Sequence, residues 1–288
     1  MSSRLIWRVM FAFYTLVFFG FLFGPLIAMS ITAFNTPAYP QAYPFVEFTW
    51  KWFGELVRDR GLMEGLWNSL LIGLLVVCLA VPLGLAGAMV MAQVYQPARS
   101  LYYLVVVSPV LTPGVILGIS TVIFWRDVAD VLRIEGVYNG IFLATLGQCT
   151  FISAYCMLIF MSRLQRYDRS QEDAALDLGA SRTQTFFHLL LPYLKPAIVS
   201  AAAIAFLSSF ENYNTTTFAI LADKTLTTVL AGRVRQGTTP AISALAVIII
   251  AVSLAGAILF EIARRLEDKR VKARVQAAAE AERRELAV

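Results

Sequence analysis

Residues 162–195 read SRLQRYDRSQEDAALDLGASRTQTFFHLLLPYLK. The segment is polar and charged, yet it has its own local order. Residues 171–178 (QEDAALDL) have the composition of a short helix with Ala174, Ala175 and Leu178 on one face. Gly179 ends it, as a glycine just past a helix C-terminus does. Ser181 is placed to cap a second short helix, 182–191, whose Phe186, Phe187, Leu190 and Leu191 are apolar. Pro192 and Pro196 then bracket the entry to a long apolar run. Two short helices with apolar faces have two possible fates. They form a docking platform for a partner, or they pack back onto the chain's own surface.

Outward from this segment, the chain is mostly hydrocarbon. Six stretches are long and apolar enough for a bilayer core, which needs about 20 residues per helix: 9–34, 67–92, 101–124, 137–161, 196–221 and 241–263. Of the 288 residues, 58% are hydrophobic and only 15% charged, with mean hydropathy +0.68. Soluble domains carry about 25% charge, so an ordinary soluble fold is excluded, and so is a disordered chain. The expected fold class is an all-α membrane protein with six transmembrane helices. The first run is too long for the apolar core of a signal peptide, about 7–15 residues, so a retained span is expected. Glycines and prolines inside the runs (Gly84, Gly87, Pro109, Pro113, Gly114 among them) are tolerated in membrane helices, where small residues allow close approach.

Basic residues set the orientation. Sixteen of the 24 Lys and Arg lie in the N-terminus, the turn at Arg99, segment 162–195 and the C-terminal tail; eight lie in 35–66, 125–136 and 222–240. Positive loops stay inside, so both termini and segment 162–195 are expected in the cytoplasm. Trp50, Trp52, Trp67 and Trp125 then fall near the outer interface. Loop 35–66 is external and rich in proline and aromatics, with 49–58 as a short interfacial helix. Residues 261–287 read as a charged, Ala-rich cytoplasmic helix in which Glu261 pairs with Arg264 and Arg265. The expected organisation is a transmembrane domain over 1–265, with its cytoplasmic segment at 163–195, and a charged cytoplasmic helical tail over 266–288. Cys78, Cys149 and Cys156 all sit in apolar runs and are expected as small buried hydrophobes; with one histidine, His188, no metal site is expected.

Segment 162–195 is similar to the EAA loop of ABC importer permeases. That pattern is Glu-Ala-Ala, three residues, Gly, nine residues, Ile, one residue, Leu-Pro. Here it reads Asp173-Ala174-Ala175, Gly179, Leu189 and Leu191-Pro192 at matching spacing. Asp173 stands in place of Glu, with Glu172 one position earlier, and Leu189 in place of Ile. The resemblance extends to Thr32-x-Phe34-Asn35, Asn68-Ser69-Leu70, Ser108-Pro109, Asp177-Leu178-Gly179-Ala180-Ser181 and, after Pro240, Ser243-Ala244-Leu245-Ala246. These look most like the second permease of spermidine/putrescine-type importers. The resemblance implies the type I importer permease architecture in a bacterial inner membrane. It implies that Glu172, Asp173, Ala174, Ala175, Asp177, Gly179, Leu191 and Pro192 couple to a cytoplasmic ATPase, present in two copies. It also implies a second permease subunit and a periplasmic substrate-binding protein. No Gly-Lys pair occurs anywhere in the chain, so the phosphate-cradling loop of an ATPase is missing. ATP and Mg are accordingly expected on the partner, no cofactor on this chain, no nucleic acid, and a transport subunit rather than an enzyme.

Glu211 is the one charge placed deep in a span. A carboxylate there costs about 2.5–3.5 kcal/mol on insertion scales, and such groups usually face a bundle interior or a water-filled cavity. Ser208, Glu211, Asn214 and Thr215 share helical spacing, with Ser209, Asn212 and Thr216 as an adjacent stripe. The expected role is a polar pathway face formed by Ser208, Glu211, Asn212, Asn214 and Thr215; the alternative is a structural carboxyl bonded to a neighbouring helix. The resemblance implies that Glu211 attracts a cation such as a polyamine. Asn212, where a second acid is expected, keeps a less charged amine, an amino-acid derivative or an opine in play. Pro109, Pro113 and Gly114 are expected to bend the third span, and Thr145, Gln148 and Ser153 to bond between helices. An ion-driven transporter would show repeated halves and more intramembrane ionisable groups. A membrane enzyme would show convergent catalytic groups, and a bare anchor would have no use for the polar stripe.

Overall fold

The computed structural model describes residues 3–134, 136 and 138–285, and among these it is almost entirely helical. Residue 137, which opens the expected fourth span, and residues 286–288 of the expected tail lie outside the described residues. The chain divides into two compact units, Met1–Asp59 with Gly237–Val288, and Arg60–Gln236.

In the first unit, α1 (Ser3–Ala33) and α2 (Lys51–Arg58) pack on α12 (Pro240–Glu285). Ala33, Trp52 and Ala244 form the core of that contact. Most of α1 is exposed, including Phe11, Phe13 and Phe21. A helix apolar on all sides and open to its surroundings is suited to lipid. The last span and the charged tail are one continuous helix, α12, with Arg265 Nε donating to Glu261 at 2.7 Å. Between α1 and α2, Asn35 ties the loop together. Its Nδ2 donates to the Gln41 and Pro44 carbonyls and its Oδ1 accepts from the Thr36 and Val46 amides. Trp52 is buried and donates Nε1–H to the Asn35 carbonyl at 2.6 Å, so it is a core residue and not the interfacial ring its position suggested. Its indole N–H finds a protein acceptor, which removes the need for water.

The second unit is built on α3 (Arg60–Gln93), α6 (Gly140–Leu164) and α9 (Leu191–Phe210). Ile72 and Val76 of α3, Ile152, Met157 and Phe160 of α6, and Ala201 and Ala205 of α9 share its core. On α3 the small residues Ala80, Gly84 and Ala88 recur every fourth position and are buried. A Cβ on Gly84 would lie 2.8 Å from both the Met157 amide nitrogen and the Ser153 carbonyl. Backbones approach that closely only where a side chain is missing. Cys149 and Cys156 are buried in this core, whereas Cys78 is exposed, against expectation, on the outer side of α3.

Among the described residues, five helices are long and apolar enough to span a membrane, six if a bent pair is counted as one span. That pair carries the bend expected in the third span: the break falls at Pro113 and Gly114, with Pro109 inside the first arm, and it divides the run 101–124 into two helices. The pair consists of α4 (Gln96–Leu111) and α5 (Gly114–Leu132), which meet at 100°. Pro113 has no N–H to donate and drives the preceding residue out of the helical region; Thr112 sits at ψ 133°. Loop 222–240 also departs from expectation, since α11 (Leu226–Gln236) forms within it and lies along α3.

The helical element expected over 182–191 does not end before the fifth span. α8 (Arg182–Thr185) passes through a π turn, Phe186–Leu190, directly into α9. The Leu191 amide reaches back to the Phe186 carbonyl, the wider spacing of a π turn. Pro192 therefore lies inside a continuous helix, directly after the π turn, rather than marking a boundary; prolines and π turns are both places where a helix kinks.

Candidate functional site

Two regions contain the residues singled out in the sequence: the segment from Asp168 to Pro192, and the break that follows α9.

The first is built on α7 (Ser170–Asp177). Asp168 Oδ1 accepts from the Ser170 amide at 3.0 Å, and hydrogen bonding from the Ser170 side chain, then from its amide, holds the Asp168 carboxyl below the usual carboxylate range. At the other end Gly179 takes φ +87°, the Gly179 amide donates to Leu176 and the Ala180 amide to Ala175. This is the paired closure that a left-handed residue permits. Ser181 then forms a capping box: Gln184 N–H donates to Ser181 Oγ at 3.2 Å, and Ser181 N–H to Gln184 Oε1 at 2.8 Å. Both ends of the turn are thus fixed by local bonds, so its shape does not depend on packing.

That matters because α7 buries none of its residues. Leu178 is 89% exposed and Phe187 55%. Asp173, Ala174, Asp177, Gly179 and Pro192 are exposed, and Ala175 and Leu191 half-buried. The second face is divided: Leu190 is buried and Phe186 and Leu191 are half-buried against the chain, while Leu178 and Phe187 stay open. Glu172 is half-buried and separates from Asp173: it lines a cavity with Tyr167, Arg169 and Leu190. Burial, then the charge of Glu172, raise the pKa of the Tyr167 phenol. Tyr167 packs against Tyr193 with the rings tilted at 50° and their centroids 4.8 Å apart, and Arg163 lies 4.3 Å over the Tyr193 ring. Tyr167, Asp168 and Arg169 were not singled out in the sequence; the signal available was Asp168 two residues before the helix, a capping position.

The second region corrects the polar helical face. α9 stops at Phe210, and Glu211 to Asn214 form a turn before the short α10 (Thr216–Ala219). Asn212 Oδ1 accepts from the amides of Thr215 and Thr216 at 3.2 Å each and from Thr216 Oγ1 at 3.0 Å. Asn and Thr side chains compete for backbone groups in this way and favour turns over helix interiors. Gln148 of α6 closes the network, donating Nε2–H to Thr216 Oγ1 at 2.7 Å and accepting from the Ser209 hydroxyl. Gln148 is therefore the helix–helix bond expected of it.

The predicted pathway residues separate accordingly. Glu211 and Asn214 are exposed; Ser208 and Asn212 are half-buried. Thr215 is fully buried, and a Cβ on Gly114 would lie 2.9 Å from its Oγ1. Thr215 fills the approach between the break and the elbow of the bent pair; it lines no open surface. Glu211 stands at the C-terminal end of α9, where the helix already presents its negative pole. Two sources of negative potential coincide there, and among the described residues no cation pairs with the carboxylate.

Residues 80–273 match the family model described as Binding-protein-dependent transport system inner membrane component. The putrescine transport system permease protein PotI of Escherichia coli (strain K12) is 30% identical over 270 residues, covering 92% of this chain and 94% of its own. The spermidine/putrescine transport system permease protein PotC of Haemophilus influenzae is 26% identical over 268 residues, covering 91% and 98%. Among solved structures, a bacterial ABC transporter involved in the import of the acidic polysaccharide alginate aligns with TM-score 0.67 and 15% identity, over 92% of this chain and 98% of that one. That likeness concerns the fold.

Proposed function

The chain belongs to the family of binding-protein-dependent transport system inner membrane components, and from that premise we propose that it forms half of an import pathway for a polyamine such as putrescine or spermidine. The protein is an inner-membrane permease of the ABC importer class, not an enzyme. A second permease would complete the pathway, two copies of a cytoplasmic ATPase would bind ATP and Mg, and a periplasmic protein would deliver substrate. Both termini and the platform would face the cytoplasm.

The observation that carries this reading is the platform itself. Leu178 and Phe187 stand open to solvent on either side of a turn fixed by Gly179 and Ser181. Exposed large apolar side chains on a rigid polar segment mark an interaction surface, and the EAA spacing supports an ATPase as its partner. Substrate choice rests on the 30% identity to PotI together with Glu211. A carboxylate at a helix C-terminus repels its own helix pole by about 0.3–1 kcal/mol; the approach of a cation removes that repulsion. Half-helix C-termini coordinate cations in other transporters for the same reason.

The test is uptake of labelled putrescine and spermidine by the reconstituted complex, wild type beside Glu211→Gln, with ATPase activity recorded in both. Uptake lost in the variant, with ATP hydrolysis retained, is the expected result. If the wild type ignores polyamines while another delivered solute stimulates its ATPase, the substrate assignment is wrong and the permease assignment stands.

A further inference from the structure

Beside the platform lies a cavity of about 210 Å³ to which no role has been given. It opens where the ends of α3 and α6 and the start of α4 meet. Its mouth carries Arg99, Gln165, Tyr167 and Arg169, and its floor is apolar, with Met91 and Met161. All four mouth residues are hydrogen-bond donors and two are permanent cations. No carboxylate lines it; Glu172 lines only the adjoining cavity of about 130 Å³.

The donors are underused. Neither arginine forms an ion pair among the described residues. Arg169 makes one long bond, from Nη2 to the Ala92 carbonyl at 3.5 Å. The Tyr167 hydroxyl is enclosed and makes no hydrogen bond of ordinary geometry, although the Glu172 carboxylate is near enough to act on it from the adjoining cavity. Two guanidinium groups, an amide and a phenol around one hollow are missing a shared acceptor. Planar guanidinium forks match the oxygens of a phosphate or carboxylate in pairs, and phosphate offers acceptors in enough directions to meet Tyr167 as well.

We propose that this cavity binds a phosphate group, held by Arg99 and Arg169 with Tyr167 donating a third hydrogen bond. The phosphate belongs either to an anionic lipid headgroup or to a free oxyanion. The apolar floor accommodates the glycerol and first methylenes of a lipid, and basic pockets between membrane helices recognise such headgroups. Assignment of the mouth to the cytoplasmic leaflet rests on the proposed orientation; binding itself does not.

The experiment uses the complete transporter complex, purified in detergent and exchanged into bilayer discs. One arm measures retention of dioleoylphosphatidylglycerol against a dioleoylphosphatidylcholine background, by mass spectrometry. The other measures labelled orthophosphate by equilibrium dialysis in discs of phosphatidylcholine alone. Wild type is compared with Arg99→Ala/Arg169→Ala and with Arg99→Lys/Arg169→Lys, each checked by thermal unfolding. In at least one arm the alanine pair is expected to bind about a hundred-fold more weakly, since it removes two charged donors and each such hydrogen bond is worth at least about ten-fold. The lysine pair retains charge and is expected to fall between. Loss confined to the lipid arm identifies a headgroup; loss in the phosphate arm identifies a free oxyanion. Equal binding by wild type and the folded alanine pair in both arms, or no binding in either, overturns the proposal.

Discussion

Gly84→Ala tests the packing of the second unit at its tightest point. The added methyl would lie 2.8 Å from the Met157 amide nitrogen and 2.8 Å from the Ser153 carbonyl oxygen, with Cys156 Cβ also in the way. Ordinary contact is about 3.5–4 Å, so the methyl intrudes by roughly 0.7 Å or more. Its neighbours include backbone of α6, which cannot rotate aside as a side chain does. The remaining response is for α3 and α6 to separate along the row Ala80, Gly84, Ala88, opening the core they share with α9. Overpacking of this kind costs about 1–3 kcal/mol. At about 2–4 °C per kcal/mol for chains of this size, the melting temperature is expected to fall by roughly 5 °C. The assay is thermal unfolding of the purified chain in detergent, followed by tryptophan fluorescence. Gly20→Ala and Gly24→Ala on α1 serve as controls, because a Cβ at either meets nothing within 4 Å. They should melt at or up to about 2–4 °C above wild type, because alanine is the better helix former by about 1 kcal/mol. A Gly84→Ala protein that melts at or above wild type would refute the close approach.

Three further outcomes follow from the bonding. Asn35→Ala removes the two donors and two acceptors that hold residues 36–46. It should loosen that loop by about 2 kcal/mol, read as faster proteolytic nicking there. Gln148→Leu strands the buried Ser209 hydroxyl, while Thr216 Oγ1 keeps its bond to Asn212, and should cost about 1–3 kcal/mol in unfolding; adding Ser209→Ala should recover most of it. Gly179→Ala meets no steric obstacle, so its cost is that of holding φ +87° with a Cβ, about 1–2 kcal/mol. Amide exchange should accelerate over 176–181 and stay unchanged in α6.

The apolar runs and the platform were legible in the sequence because hydropathy and capping act locally. The short helices around Gly179 follow from glycine and serine at their termini, and the structure closes both with the local bonds those residues supply. The breaks were less legible. In the fifth span, Phe218, Ala219 and Ile220 prolong the apolar signal past the point where α9 ends, so hydropathy alone runs through the turn. The informative residue was Asn212, followed by three threonines, which bonds forward to the next amides and replaces the helix. In the third span the prolines were visible, but the 100° angle depends on what the two arms pack against. Trp52 needed the Asn35 carbonyl, a tertiary partner seventeen residues away in sequence that no periodicity reveals.

The unbroken passage of α8 through the π turn into α9 has a mechanical consequence. From Arg182 to Phe210 there are 29 residues without an interruption. At about 1.5 Å per residue they form a lever about 43 Å long. A tilt of about five degrees at one end displaces the other by roughly 4 Å, the order of a helical turn. A movement of the capping box at Ser181 is therefore carried through one continuous element to the turn that begins at Glu211, and the π turn, Pro192 and Pro196 are the places along it where bending would absorb part of that movement.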